Sequence, residues 1–147
     1  MDRGLAVILT AFVGGLIALQ APINSMLGKS VGTWQAATVS FAIGTVVFIA
    51  YCLVMRVPLP SLEEARAYPV WVWTGGLLGA AYVTTVLVTV RSLGAGGVTA
   101  ATIAGQLTMA IVVDQLGILG VEKQSITWHR LVGVLLLAVG TFLVVRD

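Results

Sequence analysis

Apart from Asp114 and Arg130, the latter at the third position of the last run, every one of the eight basic and six acidic residues in this chain lies outside five long apolar runs. A helix needs roughly 20 predominantly apolar residues to cross about 30 Å of hydrocarbon. On that criterion the sequence predicts transmembrane spans at about 5–27, 34–55, 70–90, 96–119 and 128–145. Backbone polar groups in lipid must be satisfied within the protein, so runs of this length with tight connections read as helices. Barrel strands would show alternating segments of about ten residues, and the sequence has none. The fold expected is an all-α membrane protein, a single five-helix transmembrane domain over 1–147. Composition agrees: 59% of residues are hydrophobic and 10% charged, whereas a soluble domain carries about 25% charged residues.

The charge inventory excludes other classes. A net charge of +2, with no basic block, does not make a nucleic-acid surface. Cys52 is the one cysteine, so no disulfide framework forms within the chain. The first apolar run is long enough to span, lacks a small-residue cleavage pattern and leads into a second run, so no secretory leader is expected. The links at 28–33, 91–95 and 120–127 are short. The longest, 56–69, holds Pro58, Pro60 and Pro69 around Ser61, whose spacing to Glu64 is that of a capping box for one short helix. Trp34, Trp71, Trp73 and Trp128 fall at span ends, where an aromatic belt sits. Five spans put the termini on opposite faces. Arg3, Arg56, Arg66, Lys123 and Arg130 then share the N-terminal face, against Lys29, Arg91 and Arg146 on the other. The bias favours a cytoplasmic N-terminus but is small enough to be compatible with insertion in both orientations.

Small residues recur at helix-packing spacing: Gly75 and Gly79; Gly97, Ala101 and Gly105; Gly133 and Gly140. Such positions let helix backbones approach closely. The polar residues within the spans are more informative. Asp114 carries an insertion cost of about 2.5–3.5 kcal/mol if it lies deep in the bilayer; either it has a task there, or its helix ends early and it is interfacial. Gln20 and Asn24 share a face of the first helix, with Pro22 between them. That arrangement suits either a cavity opened by a proline kink or hydrogen bonding between helices. Ser40, Tyr82 and Gln106 stand nearer mid-span on three other helices, and with Gln20 and Asn24 they are expected to line one substrate cavity. Gln106 and Asp114 are eight residues apart, about 80° beyond two turns, so they need not share a face. His129 has no second ligand at metal-binding spacing. No nucleophile–base pair or phosphate-binding loop is evident, so neither enzymatic activity, a metal nor a cofactor is expected.

These residues resemble a known family. Gln20-Ala-Pro-Ile-Asn24-Ser-Met-Leu-Gly28 and Ala37-Thr-Val-Ser40-Phe-Ala-Ile-Gly44 resemble the Q-x-x-x-N-x-x-L-G and S-F-x-x-G signatures of the YdcZ-type family, the five-helix branch of the drug/metabolite transporter superfamily. Gly75-Gly-Leu-Leu-Gly79-Ala-Ala-Tyr82, Leu93-Gly94, Gly105-Gln106, Val113-Asp114-Gln-Leu-Gly117 and Arg130-Leu-Val-Gly133 with Gly140 continue the match in order. The stretch 124–127 departs from it, lacking the proline relatives often carry there. The resemblance implies one half of a ten-helix transporter, completed by a second, antiparallel copy or a paralogue. It implies a multi-pass protein of the bacterial inner membrane that moves a small molecule, with export the common role. Alternating access around a midplane site is the mechanism such repeats use. A dual-topology ion channel and a structural membrane subunit are the competing readings. In the antiparallel dimer Asp114 of one copy comes to the depth of Gln20 and Asn24 of the other, after a separation of about 20 Å in depth within one chain, so it is expected to be a coupling or inter-subunit acid. The two copies of Cys52 fall at opposite membrane faces and are not expected to crosslink.

Overall fold

Helices dominate the computed structural model, which describes residues 2–58 and 60–146, without the side chains of Arg3 and Leu62. The flanking charges expected at Arg3 and Asp147 therefore lie outside the described side chains. The elements run α1 (Arg3–Val31), α2 (Thr33–Met55), α3 (Leu62–Arg66), a 3₁₀ turn (Val70–Thr74), α4 (Gly75–Leu116) and α5 (Trp128–Val145). Four helical segments are long and apolar enough to cross a membrane: Gly4–Val31, Thr33–Met55, Val70–Leu116 and Trp128–Val145. At most 11% of the residues in the most apolar window of any of them are buried. Large apolar side chains such as Phe48, Leu53 and Val54 instead stand more than 70% exposed, the surface of a protein whose solvent is lipid.

The sequence-based boundaries need correction at several places. First, α1 runs through Gly28 and Lys29 to Val31, so the expected link at 28–33 shrinks to Gly32 alone. The Gly32 N–H donates to the Gly28 carbonyl at 3.1 Å, and its own carbonyl accepts from Ala36 at 3.0 Å. With φ 98 and ψ 153 it takes a conformation open in practice only to glycine. Second, the third span becomes α-helical only at Gly75, because Val70–Thr74 forms a 3₁₀ turn. Third, the fourth span ends at Leu116 rather than near 119. Gly117 follows at φ 63, its N–H bonded to the Val113 carbonyl at 2.9 Å. Between the third and fourth spans helical structure continues through 91–93 and resumes at 95, broken at Gly94 with φ 68 and ψ 171. The capping box is present as expected: Ser61 N–H donates to Glu64 Oε2 at 2.7 Å and Glu64 N–H to Ser61 Oγ at 3.2 Å.

The chain divides into two units, one of residues 1–18 with 89–147 and the other of residues 19–88. In α1 the division follows Ala18, whose carbonyl cannot receive the usual helical bond because Pro22 has no N–H. Unit 19–88 packs α1, α2 and the start of α4 around Ala36, Ala37 and the fully buried Leu87, with Leu27 and Val83 against them. In the other unit, α5 lies along the second half of α4. Gly96 and Gly97 come within van der Waals reach of Val144 and Val145, and the Thr141 hydroxyl donates to the Ala100 carbonyl at 3.1 Å.

Of the residues expected to allow close helix approach, Gly79 meets the Phe41 ring and Gly97 meets Val145. Ala101 lines a groove beside α5. Gly75, Gly105, Gly133 and Gly140 face open space: a Cβ at any of them would meet nothing within 4 Å. Among the described residues, none of those four glycines brings two helices together within its own unit.

Candidate functional site

The one-residue connection at Gly32 folds α2 back along the end of α1, and so sets which residues meet. Asn24 precedes Gly32 by eight residues and Ser40 follows it by eight. The Asn24 amide donates to Ser40 Oγ at 3.1 Å. Gln20 and Gly44 stand twelve residues to either side, and both line one cavity of about 260 Å³. Pro22 falls between Gln20 and Asn24, where it removes one backbone donor from the helix wall.

Gln20, Ser40, Phe41, Gly44, Thr45, Phe48 and Val83 form the lining. Residues 40, 44 and 48, with 41 and 45, are the i, i+4, i+8 rows of one α2 face. Val83 comes from α4. Asn24 is buried, at 8% exposure, and is joined to the cavity wall through Ser40. The Thr45 hydroxyl donates to the Phe41 carbonyl one turn earlier at 2.9 Å. No titratable side chain is part of the lining.

Three of the five residues expected to line one cavity are thus brought together: Gln20, Asn24 and Ser40. Tyr82 is half-buried and absent from the lining, its neighbour Val83 being there instead. Gln106 is an exposed residue of the other unit. Thr45 and Phe48 were not singled out from the sequence, and Phe41 and Gly44 entered only through the S-F-x-x-G signature and not as site residues, although the row S-F-x-x-G-T-x-x-F repeats at helical spacing.

Asp114 lies in the last turn of α4, three residues from Gly117, and is ion-paired with Arg130 in the first turn of α5 at 3.1 Å. Both side chains are half-buried. Arg130 also donates to Gln124 Oε1. The Gln124 N–H returns a bond to the Asp114 carbonyl at 2.8 Å, and Gln115 Oε1 accepts from the Ile126 N–H at 2.8 Å. This cluster pins the connection between the helices; within the chain Asp114 has a partner of its own.

A second concavity, about 570 Å³, runs beside α5 in the other unit. Its lining is apolar save Thr141, whose hydroxyl is engaged by Ala100, and Arg146 at the helix end, whose guanidinium lies 5.9 Å from the Phe142 ring centroid. Among the described residues no group of three His, Cys, Asp or Glu side chains could hold a metal ion. The cavity of unit 19–88 carries the Gln20 amide and the hydroxyls of Ser40 and Thr45 in its wall.

Compared with known protein families, residues 5–143 match the family described as "putative inner membrane exporter, YdcZ". Neither a curated protein nor a solved structure matches the chain.

Proposed function

This chain belongs to the YdcZ family of inner-membrane exporters, and from that premise we propose that the cavity of unit 19–88 is where a small solute binds on its way across the membrane. The observation that carries the proposal is the convergence of Gln20 and Ser40, with Asn24 behind Ser40, on one cavity within helices otherwise sheathed in apolar side chains. Polar groups are expensive in a bilayer, and where they meet at a cavity they can serve a passing solute as well as join helices.

The transport cycle proposed is alternating access in an antiparallel dimer, each copy standing for one half of a ten-helix drug/metabolite transporter. At 1.5 Å per residue the 42-residue α4 would measure about 63 Å as one straight rod, twice the roughly 30 Å hydrocarbon core. In this reading the break at Gly94 lets it cross twice, which gives five crossings and termini on opposite faces. Two features support a second copy. The basic residues are spread with too little asymmetry to fix one orientation, and Gly75, Gly105, Gly133 and Gly140 are left open for backbone approach by another helix. A paralogue can stand in for the second copy. No step of this cycle is catalytic.

Side-specific labelling tests the proposal. With Cys52→Ala as background, Gln20→Cys is expected to react with a membrane-impermeant maleimide applied from either face. Reaction from neither face, in protein that still inserts, shows that the cavity does not open to water and removes it as a transport site. Lysines added at one terminus should trap one orientation and halt transport, and an oppositely biased partner should restore it. Normal transport by the biased form alone overturns the antiparallel dimer.

A further inference from the structure

We infer that the solute this cavity accepts is uncharged: a small neutral molecule with an apolar or aromatic body and one or two hydrogen-bonding groups, moved without net charge. The inference rests on the cavity being the cargo site proposed above.

Charge is the first constraint. The residues around the cavity offer hydroxyls, an amide and two phenyl rings, and no ionisable group. A charged solute brought there would lose its hydration with no opposite charge to meet it. A second copy of this chain does not supply one either. Asp114 and Arg130 are the acidic and basic residues inside the apolar runs, and they neutralise one another as an ion pair between the end of α4 and the start of α5. Any homo-oligomer inherits the same inventory. The faces of Phe41 and Phe48 attract cations, but at partly exposed rings such attraction does not replace a lost hydration shell.

Hydrogen-bonding capacity is the second. Ser40 Oγ accepts from Asn24, so its own proton remains to be donated to an acceptor on the solute. The Thr45 hydroxyl proton is spent on the Phe41 carbonyl, which leaves its oxygen as an acceptor. The Gln20 amide offers donors and an acceptor together. This is the complement of an amide, alcohol or carbonyl group rather than of an ammonium or a carboxylate. Size is the third. At about 260 Å³ the cavity lies below the roughly 300 Å³ at which drug-sized pockets begin. The rings and Val83 supply a surface for the rest of the molecule.

Three probes of matched shape separate the possibilities: 3-phenylpropanamide, 3-phenylpropanoate and (2-phenylethyl)trimethylammonium. Each is added to the full chain in lipid nanodiscs, and binding is read by saturation-transfer NMR against the Gln20→Leu and Ser40→Ala variants. The neutral amide is expected to bind and to weaken about tenfold in each variant. The two ions are expected to bind about 100-fold more weakly than the amide. Gln20→Glu should raise binding of the ammonium, a gain that a misfolded variant cannot give. If either ion binds wild-type protein within about threefold of the amide and is lost in Gln20→Leu, the cavity is a site but neutrality is wrong. If no probe responds to any of the three substitutions, the cavity is not the cargo site, and both this inference and the reading beneath it fall.

Discussion

The Arg130 guanidinium donates to the Asp114 carboxylate at 3.1 Å, joining the last turn of α4 to the first turn of α5. Because both groups are half-buried, the pair is screened less than a surface ion pair and is reinforced by the bonds through Gln124 and Gln115. Asp114→Asn and Arg130→Gln should each lower thermal stability in detergent, and the double variant should lose little more than either single. The expected coupling energy is about 1 kcal/mol. Strict additivity in the cycle would show that the contact contributes nothing.

The bond from Asn24 to Ser40 joins α1 to α2 inside one unit. Interhelical hydrogen bonds of this kind in membranes average about 0.6 kcal/mol, so Asn24→Ala and Ser40→Ala should be mild in stability. Solute binding should fall more than stability does, because Ser40 lines the cavity and Asn24 orients it. Equal losses in melting and binding measurements would mark the two residues as glue.

Gly94 tests a backbone requirement without a packing one. Its φ of 68 and ψ of 171 are accessible essentially to glycine alone, yet an added Cβ would meet nothing within 4 Å. Gly94→Ala should therefore destabilise by about 1–3 kcal/mol through torsion alone. An unchanged melting temperature would mean that the break tolerates an ordinary residue.

Glu64 gives the one pH dependence that follows from the described geometry. The backbone N–H of Ser61, and then its hydroxyl, hold the Glu64 carboxyl below its ordinary value of 4.5. A depressed folded-state pKa means the capping contribution is complete above 4.5 and disappears as pH falls through the lower folded value. An NMR titration of Glu64 should show this directly, and Ser61→Ala should move the midpoint part of the way back. A midpoint at the ordinary value in the unsubstituted chain would mean that the capping box is not populated in the membrane-bound protein.

What was legible in the sequence was local. The Ser61–Glu64 box depends on three-residue spacing, and α5 is marked at both ends by Trp128 and Arg146, so its bounds emerged unchanged. Boundaries failed where glycine misled. Gly28 reads as a loop residue but is buried in α1, and a packed helical glycine cannot be told from a turn glycine without its neighbours. At the end of α4 the apolar run Gly117-Ile118-Leu119 continues while the backbone turns, Gly117 and Leu119 both taking positive φ. Composition does not register that change. Of the cavity, Gln20, Asn24 and Ser40 stood out because polarity in a span is conspicuous. Phe41 and Phe48 did not, because an aromatic residue in a membrane helix is ordinary. The partner of Asp114 was hidden by distance: Arg130 is sixteen residues away along the chain.

The single residue between α1 and α2 also constrains how the protein is made. Gly32 leaves no polar loop that could wait on one side of the membrane while the first helix inserts alone. Its N–H and carbonyl are both occupied by the adjoining turns, so the connection satisfies its own backbone without water and the two helices are expected to insert as one hairpin.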